Sequence, residues 1–273
     1  MSSPVFIDSD NAMGSRSGDV DDAFAIAALL RSGQSIVALS SVFGNTAEAL
    51  AHANNSSLAR LLRFDGLLLR GAAAVSSLPT DASQFLAAAV VPLRIAALGP
   101  LTNIAAAITA GASRCIEELV VIGSNSISRG RWPPVWPYEF NLTKDRHATK
   151  ICFDSTIPMT VFPLNVASGF RFDRAHLHQM EGPLGDVLRQ GTERWLRHLF
   201  WTRAMREFPI YDLLAALYMT DPEGVDFEER NVSISPSGFI DYRGGDRMIR
   251  VATRFSKELL WRRFLRLLRE ADR

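Results

Sequence analysis

Short apolar runs alternate with helix-forming stretches along the first part of the chain, and this alternation limits the possible folds more than any other feature. The apolar runs are typical of buried strands and lie at residues 5–7, 36–42, 67–70, 93–98, 118–122 and 159–162. Helices are predicted from Asp22 onward and at residues 47–62, 104–110 and 145–153. Such an alternation requires a mostly parallel sheet with right-handed crossovers. We therefore predict an α/β protein with an open, mostly parallel sheet, flanking helices and a Rossmann-like core.

The remainder of the chain is less regular and predicts an α+β region. Helices are expected at residues 185–206, 212–219 and 256–269, and β-rich runs at 232–235, 238–241 and 248–253. The last helix is basic enough for a membrane surface or an acidic partner, but its apolar residues recur at helical spacing and favour docking on the core. Because no linker separates the two parts, we predict a single domain over residues 1–273.

Composition excludes several classes of protein. A formal net charge of +1 indicates no general nucleic-acid-binding surface, and 47% hydrophobic residues suffice for a large core. The start of the chain shows no signal-peptide pattern, and no run of about 18 residues is free of charge and proline, which predicts no membrane association. Cys115 and Cys152 have the spacing of neither a metal site nor a disulfide framework, so we expect a cytoplasmic protein.

Five aspartates fall within fifteen residues where the first strand gives way to the first helix: Asp8, Asp10, Asp19, Asp21 and Asp22. This junction is the carboxyl edge of a sheet, where open α/β folds bind ligands. Carboxylates this dense repel one another unless one is protonated or a cation lies among them, and hard divalent cations take oxygen ligands. Asp21 and Asp22 alone fit a helix cap, but the alternating Asp8 and Asp10 do not. The stretch therefore predicts a divalent metal site.

Four motifs, in order along the chain, resemble those of the inosine-uridine type nucleoside hydrolases. The first is Asp8-Ser9-Asp10, a glycine-bearing loop and Asp21-Asp22-Ala23, although the loop of residues 11–20 is longer than is usual in that family. The other three are Gly99-Pro100-Leu101-Thr102-Asn103, then Glu139-Phe140-Asn141 followed by Asp145, and finally Tyr211-Asp212 followed by Thr220-Asp221-Pro222. The resemblance covers most of the chain. It implies calcium-dependent hydrolysis of the N-glycosidic bond of a small-molecule nucleoside to free base and ribose.

The same resemblance implies a role for each matched residue. One calcium ion (Ca²⁺) would be bound by Asp10, Asp22, Asp212 and the backbone carbonyl of Thr102, and Asp10 would also be the general base that accepts a proton from the attacking water. Asp8 would support them as a hydrogen-bonding partner. The ribose would be bound by Asp21, Asn45, Glu139 and Asn141. Members of the family are commonly homodimers or homotetramers, so a homo-oligomer is implied as well.

Departures from the family pattern cluster where the base would leave. Many members have a histidine just before the late aspartate, whereas this chain has Tyr211 as its candidate catalytic group, and a phenol with a pKa of about 10 donates a proton less readily. Segment 71–84 is predicted to be a loop of small residues, and segment 123–142 a long aromatic loop. Trp132 and Trp136 in the latter precede Glu139 and are placed to bind the base. A hydrophobic plug or a subunit contact explains these tryptophans equally well.

Two other functions fit part of the sequence. A catalytically impaired relative would bind metal and a ribosyl ligand without hydrolysing it, which the missing histidine supports. A haloacid-dehalogenase-like phosphatase would use Asp8 as its nucleophile, but that function leaves the Glu-Phe-Asn segment unexplained. Retention of every metal and sugar residue favours the hydrolase.

Overall fold

The computed structural model describes residues 3–15, 18–76, 78–124, 140–235, 240–242 and 244–269. The strands are β1 (Val5–Ser9), β2 (Ile36–Ser41), β3 (Leu67–Leu69), β4 (Leu93–Ala97), β5 (Ile116–Ile122), β6 (Met159–Phe162), β7 (Arg171–Phe172), β8 (Phe208–Pro209), β9 (Val225–Ile234), β10 (Ile240–Asp241) and β11 (Arg247–Phe255). The helices are α1 (Asp21–Leu30), α2 (Glu48–Leu61), α3 (Asp81–Ala87), α4 (Thr102–Thr109), α5 (Phe140–Lys144), α6 (Arg146–Asp154), α7 (Leu164–Ala167), α8 (Arg174–Leu177), α9 (Gly182–Arg203), α10 (Tyr211–Thr220) and α11 (Lys257–Arg269).

Within the described residues, nine strands form one sheet in the order β10-β9-β11-β6-β5-β4-β1-β2-β3. The seven strands from β11 to β3 in that order are parallel to one another. Strand β9 pairs antiparallel with β11, and β10 pairs antiparallel with β9 at the edge of the sheet. A separate antiparallel pair joins β7 to β8. The prediction of a mostly parallel sheet with flanking helices is therefore confirmed.

Hydrophobic cores lie on both faces of the sheet, as a parallel sheet requires. Alternation along β1 divides its side chains between them: Val5 and Ile7 pack into one core, and Phe6 packs into the other. The first core also contains the buried faces of α1, α9, α10 and α11, and the second contains those of α3, α4 and α6. The strand that carries the acidic motif is thus held rigidly in the middle of the molecule.

Several predicted segments were wrong at their margins. Residues 81–84 of the expected loop 71–84 belong to α3, where the side chain of Thr80 accepts the backbone N–H of Ser83 and caps the helix. Residues 140–142 of the expected loop 123–142 belong to α5. Strand β9 begins at Val225, seven residues before the predicted run at 232–235, and the short elements α7, β7, α8 and β8 were not predicted.

The terminal helix docks on the core, as its apolar spacing predicted. Leu260, Phe264 and Leu268 of α11 are buried in the same core as α1. The sequence predicted no disulfide, and both cysteines are free, Cys152 buried and Cys115 half-buried. Among the helices of the described residues, none combines the length and the apolar character needed to cross a bilayer.

Candidate metal and active site

Three neighbouring strands end at one place, and the chain after each of them carries polar residues of the predicted site. Strand β1 lies between β2 and β4, and all three run parallel, so their carboxyl ends share one edge of the sheet. Asp8 is near the end of β1 and Asp10 follows it, Asn45 follows β2, and Thr102 begins the helix after β4. The topology therefore brings together segments that are distant in sequence.

Asp10 is fully buried at this edge, and half of its carboxylate is hydrogen-bonded. Oδ2 accepts the backbone N–H of Asn45 at 2.6 Å, whereas Oδ1 is buried without a hydrogen-bond partner among the described residues. Gly44 permits this close approach, since a Cβ there would lie 1.9 Å from Oδ2. Burial raises the pKa of Asp10 to about 7, and the charge of Asp21 adds to the rise. One oxygen is thus fixed, and the other is available to a cation or a proton.

Asp8 is buried as well, but it is engaged differently. Its Oδ1 accepts the hydroxyl of Ser40 at 2.6 Å and the side-chain amide of Asn103 at 2.9 Å. Burial raises the pKa of Asp8 to about 6, although these two hydrogen bonds oppose the rise. Ser40 belongs to β2 and Asn103 to α4, so Asp8 ties together the elements on either side of β1. This arrangement fits the predicted supporting role.

The second acid pair opens α1. Asp22 is fully buried, and neither of its carboxylate oxygens has a hydrogen-bond partner within the described part of the chain. Asp21 is also buried, and burial raises its pKa to about 6 against the opposing effect of backbone N–H groups in its own segment and at Tyr211. The cap position of α1 is Val20, which makes no side-chain cap hydrogen bond. Capping the helix therefore does not account for two buried carboxylates.

Helix α10 packs against α1 and carries Tyr211 and Asp212 to the same region. The pKa of the buried Asp212 is raised well above its ordinary value by burial and by four neighbouring carboxylates, Asp21, Asp22, Asp10 and Asp19. Burial raises the pKa of the half-buried Tyr211 to about 12, and the charge of Asp21 contributes to that rise. Tyr211 is thus a protonated phenol beside the acidic cluster.

The turn between β4 and α4 is fastened to the segment that contains α5 and α6. Thr102 donates its hydroxyl to Asp145 at 2.7 Å, and Asp145 caps α6 by accepting the backbone N–H of Ala148 at 2.9 Å. The side-chain amide of Asn141 donates to the carbonyl of Leu98 at 2.7 Å. These bonds hold a predicted metal ligand and a predicted ribose ligand in fixed relation.

The acidic cluster concentrates like charges in a buried place. Burial is the largest cause of the raised pKa values of Asp19, Asp22 and Asp212, and the charges of neighbouring carboxylates come next. The pKa of Asp22, for example, is raised well above its ordinary value by burial and then by the charges of Asp10 and Asp21. Buried, anionic and partly unbonded oxygens are the donor set that a hard divalent cation prefers. The residues present therefore fit the metal site that the sequence predicted.

Asp19 was given no role in the sequence analysis, yet the structure brings it into this cluster. Asp19, Asp21 and Asp22 each offer one carboxylate oxygen, and these oxygens all lie within 4.8 Å of one another. The prediction had grouped Asp22 with Asp10 and Asp212. Both of those residues are near, since the charge of Asp10 raises the pKa of Asp22 and the charge of Asp22 raises that of Asp212.

The predicted ribose and base contacts divide into two groups. The side chain of Asn45 is exposed, and its backbone N–H donates a hydrogen bond to Asp10. Asp21 and Asn141 have the contacts described above. Trp132, Trp136 and Glu139 lie outside the described residues, so their predicted roles stay predictions.

Comparison of the sequence with known proteins identifies nucleoside hydrolases as relatives. The family model described as inosine-uridine preferring nucleoside hydrolase matches residues 5–262. The pyrimidine-specific ribonucleoside hydrolase RihB of Escherichia coli (strain K12 / DH10B) is 25% identical over 142 residues, which are 50% of this chain and 44% of that protein. The chain spans about half the length of the curated relatives it matches.

Solved structures with the same fold superimpose over nearly the full length of this chain and of their own. A plant nucleoside hydrolase, the PpNRh1 enzyme, superimposes with a TM-score of 0.83 at 20% identity, covering 97% of this chain and 98% of that one. The purine-preferring ribonucleoside hydrolase from Gardnerella vaginalis superimposes with a TM-score of 0.73 at 18% identity, covering 98% of both chains. At such identities the likeness concerns the fold.

The family match decides between the classes of protein that the sequence left open. It extends over nearly the whole chain, including the Asp8-Ser9-Asp10 segment on which the phosphatase alternative depended. The family model thus accounts for the segment that had suggested the phosphatase. This chain belongs to the inosine-uridine preferring nucleoside hydrolase family.

Proposed function

We propose that this protein hydrolyses the N-glycosidic bond of ribonucleosides, or of a related ribosyl compound, with Ca²⁺ held in its acidic cluster. The observation that carries the proposal is a set of buried carboxylate oxygens without partners among the described residues, at the carboxyl edge of the sheet. The set includes Asp10 Oδ1 and both oxygens of Asp22. Family membership supports the reaction type, and the products would be a free base and ribose.

The residues that would hold the cation are Asp10, Asp22, Asp212 and the backbone carbonyl of Thr102. When bound, a divalent cation supplies the positive charge that compensates the carboxylates and activates water as a nucleophile. The hydrogen bond from the Thr102 hydroxyl to Asp145 supports this assignment, because it fixes the turn that contains the Thr102 carbonyl. Calcium, with its preference for six to eight oxygen ligands, suits a set made entirely of oxygens.

Asp10 is placed to act as the general base. The Asn45 N–H fixes Oδ2, so the carboxylate is oriented, and Oδ1 is left to take the proton of the attacking water. As the glycosidic bond breaks, positive charge develops on the sugar, and the surrounding carboxylates stabilise that charge. Asp21 and Asn141 would orient the ribose, which keeps the reacting carbon near the water.

Departure of the base is where this chain differs from the histidine-bearing members of the family. With its pKa raised to about 12, Tyr211 stays protonated at neutral pH and can donate a hydrogen bond, but it is a poor proton source. We therefore expect leaving groups that need no proton to depart faster than nucleobases. The tyrosine also favours a second candidate function, that of a relative that binds metal and a ribosyl ligand without hydrolysis.

One assay separates these two functions. The purified protein is given p-nitrophenyl riboside, inosine or uridine, with Ca²⁺ or with a chelator, and release of nitrophenolate, base and ribose is measured. Both base classes are included because the relatives named above comprise a pyrimidine-specific and a purine-preferring enzyme. We expect calcium-dependent cleavage that is faster for the nitrophenyl compound than for the nucleosides. Absence of cleavage by folded, calcium-loaded protein would contradict the hydrolase and favour the binding protein.

The base pocket has its own test. If Trp136 binds the base, Trp136→Ala should slow cleavage of the nucleosides more than cleavage of p-nitrophenyl riboside, whereas a subunit contact predicts a changed oligomeric state instead. We also propose a homodimer or homotetramer in the cytoplasm, and light scattering on the purified protein tests the assembly.

A further inference from the structure

Asp19 belongs to the acidic cluster, but it is not one of the residues that match the four family motifs. It is half-buried, and its Oδ1 is buried without a hydrogen-bond partner among the described residues. One of its carboxylate oxygens lies within 4.8 Å of oxygens of both Asp21 and Asp22. Because calcium binds oxygens at about 2.3–2.6 Å, two ligands of one ion can be up to about 5 Å apart. A single ion therefore fits among these three side chains.

The path of the loop before Asp19 shows how it is positioned. At the start of the loop, the buried Asn11 donates its side-chain amide to Asn55 Oδ1 at 3.1 Å, and its carbonyl accepts from Asn54 of α2 at 2.8 Å. At the end, Gly18 passes so near Ala12 that a Cβ at Gly18 would lie 2.2 Å from the Ala12 carbonyl oxygen. The described ends of the loop, Ala12 and Gly18, thus lie close together, and Asp19 follows directly at the cluster.

A purely structural role does not account for Asp19. It precedes Val20, the cap residue of α1, where no side-chain cap hydrogen bond is made. Its neighbours Asp21 and Asp22 are carboxylates as well, so three like charges lie close together. A cation among them would compensate those charges.

An independent observation points to the nature of that partner. Asp22 is fully buried, and both of its carboxylate oxygens lack a partner within the described residues, so a group of the same cluster is poised for a ligand. Asp19 and Asp22, whose oxygens lie close enough to share one ion, thus both have carboxylate oxygens free to bind it.

We propose that Asp19 is a ligand of the cation that Asp22 holds, so that the longer loop gives this chain one carboxylate more than the family motif supplies. The inference rests on the calcium binding proposed above. Since calcium sites set their affinity partly by the number of charged ligands, Asp19 should strengthen binding.

Calorimetric titration of Ca²⁺ into metal-free protein tests this proposal. The variants are Asp19→Asn, Asp19→Ser as a second neutral side chain, and the control Asp65→Asn, which alters an exposed acid ahead of β3. Loss of one ligand should raise the dissociation constant for Ca²⁺ at least about tenfold in both Asp19 variants. Even residues that only hydrogen-bond to metal ligands contribute about 10–100-fold to metal affinity. The Asp65 variant should bind as the wild type does.

Melting in chelator separates a lost ligand from a failed fold. Removing one of several like charges should leave the metal-free protein melting at the wild-type temperature or above it. Wild-type affinity in folded Asp19→Asn or Asp19→Ser would overturn the role of Asp19. Absence of calcium binding by the wild type would instead contradict the proposed function, so the two failures are distinguishable.

Discussion

The two aspartates at the end of β1 differ in what their carboxylates contact, and this difference assigns their roles. Each of them keeps one carboxylate oxygen without a partner among the described residues, Asp8 Oδ2 and Asp10 Oδ1. The bonded oxygen of Asp8 accepts the side chains of Ser40 and Asn103, whereas that of Asp10 accepts a backbone N–H. The charge of Asp10 also raises the pKa of other carboxylates in the acidic cluster. We therefore expect Asp10 to be the general base, and Asp8 to hold β1, β2 and α4 in register.

Substitution of each aspartate by asparagine tests that assignment. Asp10→Asn keeps the shape but removes both the charge and the proton acceptor, so we expect kcat on p-nitrophenyl riboside to fall by about 10²–10⁴-fold at saturating calcium. Asp8→Asn, the matched control, keeps an oxygen for its two donors and should reduce kcat much less. An equal loss in the two variants, measured by nitrophenolate release, would argue against Asp10 as the base.

From the sequence, individual candidate site residues could be named where a motif contained them. Asp10, Asp22 and Thr102 follow strands or open helices at the carboxyl edge, and that placement can be derived from strand and helix order alone. Asp19 was counted among the five aspartates of the predicted metal stretch but received no individual role, because it lies in a loop without periodicity. Its position depends on the close approach of Gly18 to Ala12, which only a folded chain displays.

At the level of elements, long periodic segments were predictable and short ones were not. The six parallel strands from β1 to β6 are apolar runs between turn residues, and tertiary packing agrees with that local signal. Elements α7, α8, β7 and β8 have two to four residues each, too few for a period to show. The first half of strand β9 was not predicted, because exposed charged residues such as Glu228 and Glu229 interrupt its alternation near the edge of the sheet.

The turn after β2 offers a test of how an element positions the site. A Cβ at Gly44 would lie 1.9 Å from Asp10 Oδ2, so Gly44→Ala should push the carboxylate off the Asn45 N–H. We expect calcium affinity and kcat to fall together, each by at least about tenfold, because misplaced groups lose catalysis steeply. Gly169→Ala is the control, since its Cβ would meet the ring edge of Phe255 at 3.3 Å and no carboxylate. Unchanged affinity and turnover in Gly44→Ala would contradict this positioning role.

Considered as a whole, the molecule concentrates its uncompensated charge where distant parts of the chain meet. Helix α1 follows β1, α4 follows β4, and α10 comes late in the sequence, yet all three present groups to one site. A cation there would join these parts and stabilise the folded state over the unfolded one. Without the cation, the same carboxylates are stable in the fold only when they hold protons.

This linkage predicts how stability depends on pH with and without calcium. In the metal-free protein, burial raises the pKa of Asp8 and Asp21 to about 6 and that of Asp10 to about 7, against about 3.9 in an unfolded chain. Groups whose folded pKa is raised stabilise the fold fully below the unfolded pKa and lose that contribution as pH rises through the folded value. The melting temperature in chelator should therefore fall between pH 5 and pH 8.

Calcium should oppose the fall in melting temperature at higher pH, because the cation binds the deprotonated carboxylates and competes with their protons. At pH 8, calcium at about 100 times its dissociation constant should add roughly 2.7 kcal/mol, or about 5–10 °C in melting temperature. The increment should shrink towards pH 5, where protons occupy the same oxygens. Calorimetric melts at several pH values, with Asp10→Asn as a variant expected to flatten the slope in chelator, measure both effects. A calcium increment independent of pH, or a metal-free protein that gains stability from pH 5 to pH 8, would show that the cation does not bind these buried carboxylates.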